Sequence, residues 1–200
     1  MKLLNLACGA VRPQGEEWVN VDQLLEVLPG YTPEWNNLKK EKNYVEWNIE
    51  EHDGALTFGD SVFDGIVASH CIEHWDIHMA VRVMKECLRI LKPGGILVVS
   101  VPDASTFRQN ASEDTPENAV RLYGEPIHLP DGENTFLGYA GFNRWHKTLL
   151  TEDSLWCYFK RAGFKLDSEY TPEQATLYLR HIEPILNRRQ FSLIMTGEKP

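Results

Sequence analysis

Leu4-Asn5-Leu6-Ala7-Cys8-Gly9 runs from apolar residues into three small ones, and thirteen positions beyond Gly9 stands Asp22, directly after Trp18-Val19-Asn20-Val21. Small residues after a strand let the backbone turn sharply and approach a ligand closely. A carboxylate at the tip of the next strand can accept both hydroxyls of a ribose lying across the adjacent strand ends. Its ordinary structural role would be a turn or a helix N-cap. The segment between them decides which nucleoside fits. In nicotinamide-binding folds a full helix joins the glycines to the acidic residue, and its N-terminus holds a pyrophosphate. Here Pro13 and Gly15 interrupt the segment, and no long helix fits. A pyrophosphate would lose its main anion-stabilising partner, whereas S-adenosylmethionine carries a sulfonium and no phosphate. The spacing favours the methyl donor over a dinucleotide.

A second group of chemically capable residues is Ser69-His70-Cys71-Ile72-Glu73-His74, followed by His78. His70, His74 and His78 are spaced to share a helix face, which invites a metal reading. The order is not H-E-x-x-H, and no metal is expected. With an unperturbed pKa near 6.5, histidine is the natural base for a hydroxyl acceptor. His70, His128 and His146 are the candidates, with Glu73 a carboxylate alternative. Each has a structural counterpart: Glu73 and His74 can tie a loop to a helix start, and His146 after Trp145 can pack or cap.

These residues need strands and helices to hold them. Lys2 to Ala7, Trp18 to Asp22 and Tyr44 to Ile49 read as strands, and Phe63 to Ser69 and Gly95 to Val101 as central ones, since their apolar runs do not alternate with polar residues. Between the last two, Met79, Val83, Cys87 and Ile90 repeat at helical spacing, and Lys92-Pro93-Gly94-Gly95 ends that helix with a turn. Thr151 with Glu152 and Asp153, and Gly163 beyond, bracket a second helix over 151–162. Phe164 to Tyr170 reads as a further strand. Thr171-Pro172-Glu173-Gln174 resembles a capping box opening a helix that Pro184 should kink or end. Gln190 to Thr196 supplies a final strand. Residues 103–150 break the rhythm with turn residues and many aromatics, which suggests a lid or binding loop on the acceptor side.

The 200 residues, 42% of them hydrophobic, suit one domain with its own core. A formal charge of −9 argues against a polyphosphate partner, so no nucleic acid is expected. The longest apolar run is too short to span a bilayer and no signal-peptide pattern opens the chain, so the expected location is the cytoplasm. Cys8, Cys71, Cys87 and Cys157 form no C-x-x-C pair and read as reduced, partly buried thiols.

Asn5-Leu6-Ala7-Cys8-Gly9 followed by Trp18-Val19-Asn20-Val21-Asp22 resembles the N-L-G-C-G and W-x-N-V-D pattern of class I, type 11 methyltransferases, particularly bacterial members. Further matches follow in that family's order: Leu56 to Asp64, Ser69 to His74, Leu91-Lys92-Pro93-Gly94-Gly95, and His146 to Thr151 leading to Ala162-Gly163-Phe164. The resemblance implies an α/β fold: a Rossmann-like, mostly parallel sheet flanked by helices, with residues 103–150 as a lid-like insertion before the last strands. It implies that Ala7, Cys8 and Gly9 line the methionine end of S-adenosyl-L-methionine, that Asp22 holds the ribose, and that Asn48 and Ile49 flank the adenine. Ser69 and His70 would close the pocket. Ala7 stands where the family has glycine, and Asn48 where it has aspartate. His70, Glu73 and His146 are the residues expected to assist catalysis, and a small molecule or sugar the acceptor. The alternatives are a protein that binds the cofactor without turnover and a dinucleotide oxidoreductase, which the short segment after Gly9 disfavours.

Overall fold

The computed structural model describes residues 1–9, 11–23, 40–105, 147–148, 150–166, 170–186 and 192–200. Its elements run β1 (Leu3–Leu6), β2 (Trp18–Asp22), β3 (Tyr44–Glu46), β4 (Phe63–Ser69), a 3-10 turn (Ile72–His74), α1 (Ile77–Ile90), β5 (Leu91–Pro102), α2 (Glu152–Ala162), α3 (Pro172–Leu177) and β6 (Ser192–Glu198). The strands form one sheet in the order β3-β2-β1-β4-β5-β6. All neighbours are parallel except β5 and β6. The order reverses between β1 and β4, and in open α/β sheets that reversal opens a crevice at the carboxyl ends of the strands.

Apolar residues on β4 and β5 are buried in both registers. Ile66, Ala68, Leu97, Val99 and Val101 face one core with α1 and α2. Val67, Ile96 and Val98 face a second core with Leu3, Trp18, Ile182 and Leu186. Burial on both faces is the reason their sequences lack alternation. In α1, Ala80, Val83, Met84, Cys87 and Ile90 point inward. Arg89 on the same helix reaches the carbonyls of Leu56 and Phe58 at 2.9 Å and the Asp60 carboxylate at 2.7 Å, fixing the approach to β4.

Caps fall where the sequence places them. Thr151 accepts from Ser154 N–H in a capping box, and Gly163 closes α2 at φ +100°. Thr171 and Gln174 form a second capping box with Pro172 opening α3. The helical path then widens into a π turn over Tyr178–Ile182 and finishes as a 3-10 turn containing Pro184.

Three elements differ from expectation. The stretch Lys92-Pro93-Gly94-Gly95 does not separate helix from strand: β5 begins at Leu91 opposite Phe63, skips register, and resumes with Ile96 opposite Gly65. Gly94, at φ +75°, absorbs the extra residues as a bulge within the strand. β3 is shorter than expected, because after Trp47 N–H donates to Asp22 C=O the chain enters a turn at Asn48. Of the expected strand at 164–170, Lys165 makes one antiparallel bridge, to Glu198. Phe164 N–H is occupied with Phe159 C=O at the end of α2, and residues 167–169 lie outside the described ones. The final strand starts at Ser192.

Among the described residues, no helix is long and apolar enough to cross a membrane. Cys8, Cys71 and Cys87 are buried and free, whereas Cys157 is exposed.

β6 passes so close to α2 that a Cβ on Gly197 would lie 2.5 Å from Phe159 Cδ1 and 2.9 Å from Phe164 Cβ. Gly197→Ala is therefore expected to lower stability by roughly 1–3 kcal/mol. Urea unfolding checks it, and an unchanged midpoint would show that β6 is free to shift.

Candidate functional site

The carboxyl ends of β1, β2 and β4 hold most of the residues singled out in the sequence. After Leu6 the backbone turns through Ala7 at φ +50° and Gly9 at φ +52°. Left-handed geometry costs a side-chain-bearing residue about 1–2 kcal/mol, so Ala7 is held there by its surroundings. A Cβ at Gly9 would touch nothing, so conformation and not space is what glycine answers at that position. Cys8 N–H donates to Val21 C=O at 3.0 Å, carrying the β1–β2 pairing one step past β1. Burial pushes the Cys8 thiol up to about 12, so it stays protonated at neutral pH and cannot act as a thiolate.

Asp22 joins the two strand ends. Its Oδ2 accepts Gly9 N–H at 2.6 Å and its Oδ1 accepts Gln23 N–H at 2.8 Å. Each oxygen keeps a lone pair beyond these bonds, which is what two ribose hydroxyls would require. The residue is 6% exposed. Burial raises its carboxyl above the usual carboxylate value, against the opposing pull of Gly9 N–H, Gln23 N–H and the Arg12 guanidinium.

Among the described residues, no helix lies between β1 and β2. Two buried amides hold the connection instead. Asn5 Nδ2 donates to Val11 C=O at 2.7 Å and to Asn20 Oδ1 at 3.1 Å, and Asn20 Nδ2 donates to Pro13 C=O at 3.2 Å. Sequence reasoning passed over Arg12, whose Nε donates to Gly9 C=O at 2.9 Å while its guanidinium lies 4.7 Å from the centre of the Tyr44 ring. Its position in the turn beyond Gly9 was the available signal.

Asn48 lies two residues past the end of β3, not at the strand end expected, and its amide serves a local turn. Oδ1 accepts Glu50 N–H at 2.9 Å, and Nδ2 donates to Glu51 Oε1 at 3.3 Å. Ile49 is buried beside it. His70, directly after β4, also has left-handed backbone at φ +53°, with its N–H on Ser100 C=O at 2.7 Å. His70 Nε2 is 2.8 Å from Ser192 Oγ, and Nδ1 is 3.6 Å from Glu73 Oε1. Glu73 is 1% exposed, and among the described residues neither carboxylate oxygen has a hydrogen-bond partner. Its backbone carbonyl accepts Lys147 N–H at 2.8 Å and Thr148 N–H at 3.1 Å, docking the end of the 103–150 connection beside the site. His128 and His146 lie outside the described residues, as does nearly all of that connection.

The metal reading fails on geometry. His70 precedes the 3-10 turn, His74 ends it and His78 is in α1, so the three do not share one helix face. Among the described residues, no three His, Cys, Asp or Glu side chains are grouped to hold an ion.

Residues 6–99, from the end of β1 into β5, match the type 11 methyltransferase family, described as a methyltransferase domain. Over 64 residues the chain is 39% identical to a probable S-adenosylmethionine-dependent methyltransferase of Mycolicibacterium smegmatis. That stretch is 32% of this chain and 23% of the relative, so the chain spans less than a quarter of that protein's length. Among solved structures, a SAM-dependent methyltransferase from Archaeoglobus fulgidus aligns with a TM-score of 0.54 at 17% identity, over 99% of this chain and 86% of that one. The 1,6-didemethyltoxoflavin-N1-methyltransferase of Burkholderia thailandensis, with 1,6-didemethyltoxoflavin and S-adenosylhomocysteine bound, aligns at 0.53 and 19% identity, over 98% and 70%. At such identities the structural likeness speaks for the fold, and the fold is that of class I methyltransferases. The S-adenosylmethionine named for the Mycolicibacterium relative and the S-adenosylhomocysteine bound in the Burkholderia structure belong to those proteins.

Two outcomes follow from the geometry. Ala7→Gly is expected to raise stability by roughly 0.5–1 kcal/mol, the relief of left-handed strain less glycine's extra chain entropy; a less stable variant in urea unfolding would show Ala7 to be unstrained. Because the folded carboxyl of Asp22 is raised, the native state keeps this proton where the unfolded chain, near 3.8, has lost it. Asp22 thus favours folding most at acid pH and progressively less as pH rises through its folded value. The stability advantage of wild type over Asp22→Asn should shrink from acid toward neutral pH, and a flat difference would contradict it.

Proposed function

We propose that this chain is an S-adenosyl-L-methionine-dependent methyltransferase acting on a small-molecule or saccharide acceptor in the cytoplasm. The observation that carries the reading is the Asp22 carboxylate spanning two strand tips beside a left-handed turn, with no helix N-terminus among the described residues between β1 and β2 to cradle a phosphate. A nucleoside sulfonium suits such a place, and a dinucleotide does not.

The residues divide the work by position. Ala7, Cys8 and Gly9 line the methionine end, where a close backbone approach is possible. Asp22 takes the ribose hydroxyls. Ile49 contributes an apolar wall to the adenine, and Asn48, already committed to its turn, shapes the edge of that wall and offers no free carbonyl. Ser69 and His70 close the pocket beyond β4. When bound, the cofactor supplies a methyl carbon on positively charged sulfur, open to in-line displacement. Most of the acceleration then comes from holding an acceptor close and aligned. His70 with Glu73 forms the proton-accepting pair on the acceptor side, with His146 a further candidate in the 103–150 insertion. Docking of Lys147 and Thr148 on the Glu73 carbonyl ties that insertion to the catalytic rim.

A second reading, cofactor binding without turnover, draws support from Ala7, which puts a methyl group and strain where glycine would leave neither. Methylated product from any acceptor excludes it.

Calorimetric titration with S-adenosylhomocysteine tests the first reading directly. Wild type should bind. Asp22→Ala should bind at least about tenfold more weakly, as expected for losing hydrogen bonds to a charged group. Equal affinity in the two proteins would remove Asp22 from the site, and no binding by wild type would sink the proposal.

A further inference from the structure

We propose that Arg12 is a positioning residue for the cofactor: its guanidinium, built into the turn after β1, keeps the Asp22 carboxylate ionised and so able to accept two ribose hydroxyls. Resting on the methyltransferase reading, this gives a role at the same site to a residue that type and spacing alone did not mark.

Arg12 is held from several sides. Its Nε donates to Gly9 C=O at 2.9 Å while Gly9 N–H donates to Asp22 Oδ2 at 2.6 Å, so cation and carboxylate grip the same residue at its two ends. The guanidinium lies 4.7 Å from the centre of the Tyr44 ring. Tyr44 Oη in turn donates to Asp22 C=O at 3.3 Å and to Gln23 C=O at 3.2 Å. Arg12, Gly9, Asp22 and Tyr44 thus close a ring of contacts. Pro13 C=O, next along the chain, accepts Asn20 Nδ2 at 3.2 Å and Asn43 Nδ2 at 3.3 Å, fixing the backbone from which the arginine extends.

The charge of Arg12 is not engaged by a direct partner. Nη1 and Nη2 are buried, and among the described residues neither has a hydrogen-bond partner. A guanidinium taken out of water in this way is costly unless an anion stands near, and Asp22 is that anion. The attraction acts through space where little water screens it. Other groups that face Asp22 cannot take its place. Cys8 at the end of β1, Tyr44 on β3 and Cys71 after β4 are each pushed up by burial and stay neutral. Glu46 stands opposite Asp22 in register, and Glu73 lies beyond Cys71; as carboxylates both would oppose a further negative charge. Among the described residues, Arg12 is the cation that draws Asp22 toward its ionised form, against the burial that pushes it the other way.

Ionisation matters because of how Asp22 is already used. A carboxylate offers about four lone-pair sites on its two oxygens. Gly9 and Gln23 N–H occupy one on each oxygen, leaving one on each for the ribose. A proton on Asp22 would take one of those remaining places and turn an acceptor into a donor. Ionised Asp22 can hold both hydroxyls; protonated Asp22 can accept one.

The test has an arm that needs no cofactor. Carbon-13 NMR of labelled aspartate carboxyls, with Asp22 assigned by the signal missing in Asp22→Asn, follows its ionisation directly. Arg12→Gln removes the charge and keeps a donor for the Gly9 carbonyl, whereas Arg12→Lys keeps the charge. The Asp22 midpoint should rise by about one pH unit or more in Arg12→Gln and stay within about half a unit of wild type in Arg12→Lys. An unmoved midpoint in Arg12→Gln, or an equal rise in both variants, overturns the proposal; Arg12→Met gives the same reading should Arg12→Gln not fold. The second arm is calorimetric titration with S-adenosylhomocysteine across the same pH range. Wild-type affinity should fall about tenfold as pH drops through the Asp22 midpoint, and the fall should begin correspondingly higher in Arg12→Gln. Above both midpoints the two proteins should bind within about threefold of each other. A wild-type affinity flat across the midpoint, or a loss in Arg12→Gln that is equal at every pH and so marks Arg12 as a prop for the turn, overturns the proposal. No binding by wild type at any pH would instead strike the methyltransferase reading, with the NMR arm still deciding whether Arg12 sets the charge of Asp22.

Discussion

A single carboxylate organises the rim where β1 and β2 end. Asp22 accepts N–H groups from Gly9 and Gln23, one at the tip of each of two parallel neighbours. Such tips otherwise expose donors that lack partners once the ladder ends. By taking both, Asp22 fixes the left-handed turn after β1 relative to β2. The position of that turn in turn sets where a ligand can approach the sheet. The crevice exists because the strand order reverses between β1 and β4, but the reversal alone would give only an opening. Asp22 turns the opening into a site with a defined polar edge.

Among the described residues, the connection between β1 and β2 forms no anion cradle. A helix after β1 would satisfy its own backbone and aim its N-terminus at a phosphate. The chain from Val11 to Glu17 does neither, so its carbonyls need donors from elsewhere. Asn5 and Asn20 provide them from the second face of the sheet, where their neighbours Leu3, Trp18 and Val67 are apolar. Two amides in a hydrophobic face would be unfavourable on their own; bonded to each other and to the connection, they substitute for a missing helix.

Much of this could be read from residue order because it rests on local physics. β2 and β4 fall where apolar runs meet turn residues, and both capping boxes are set by hydroxyl, amide and proline chemistry within four residues. Asp22 and Gly9 were readable because the segment between them is too broken for a helix. The misses have the opposite character. The bulge at Gly94 depends on how Leu91 pairs with Phe63 across the sheet, and Asn48 is diverted by Glu50 and Glu51 into a turn that type alone does not forecast. Ser192 reaches His70 across 122 positions, through an antiparallel strand whose direction nothing in its own sequence declares.

Strain and charge are distributed unevenly around the rim, and the distribution has a direction. Ala7, Gly9 and His70 all sit in left-handed backbone at the carboxyl ends of the strands. Each is held by the sheet: Cys8 and His70 through N–H bonds to Val21 and Ser100, Gly9 through Asp22. A well-packed parallel sheet buried on both faces can carry such strain, because its cores over-determine where the strands end. The two buried carboxylates among the described residues are treated differently. Asp22 accepts a backbone N–H on each oxygen and lies near the Arg12 charge. Among the described residues Glu73 has no side-chain hydrogen bond, and one imidazole, His70, lies within ion-pair reach.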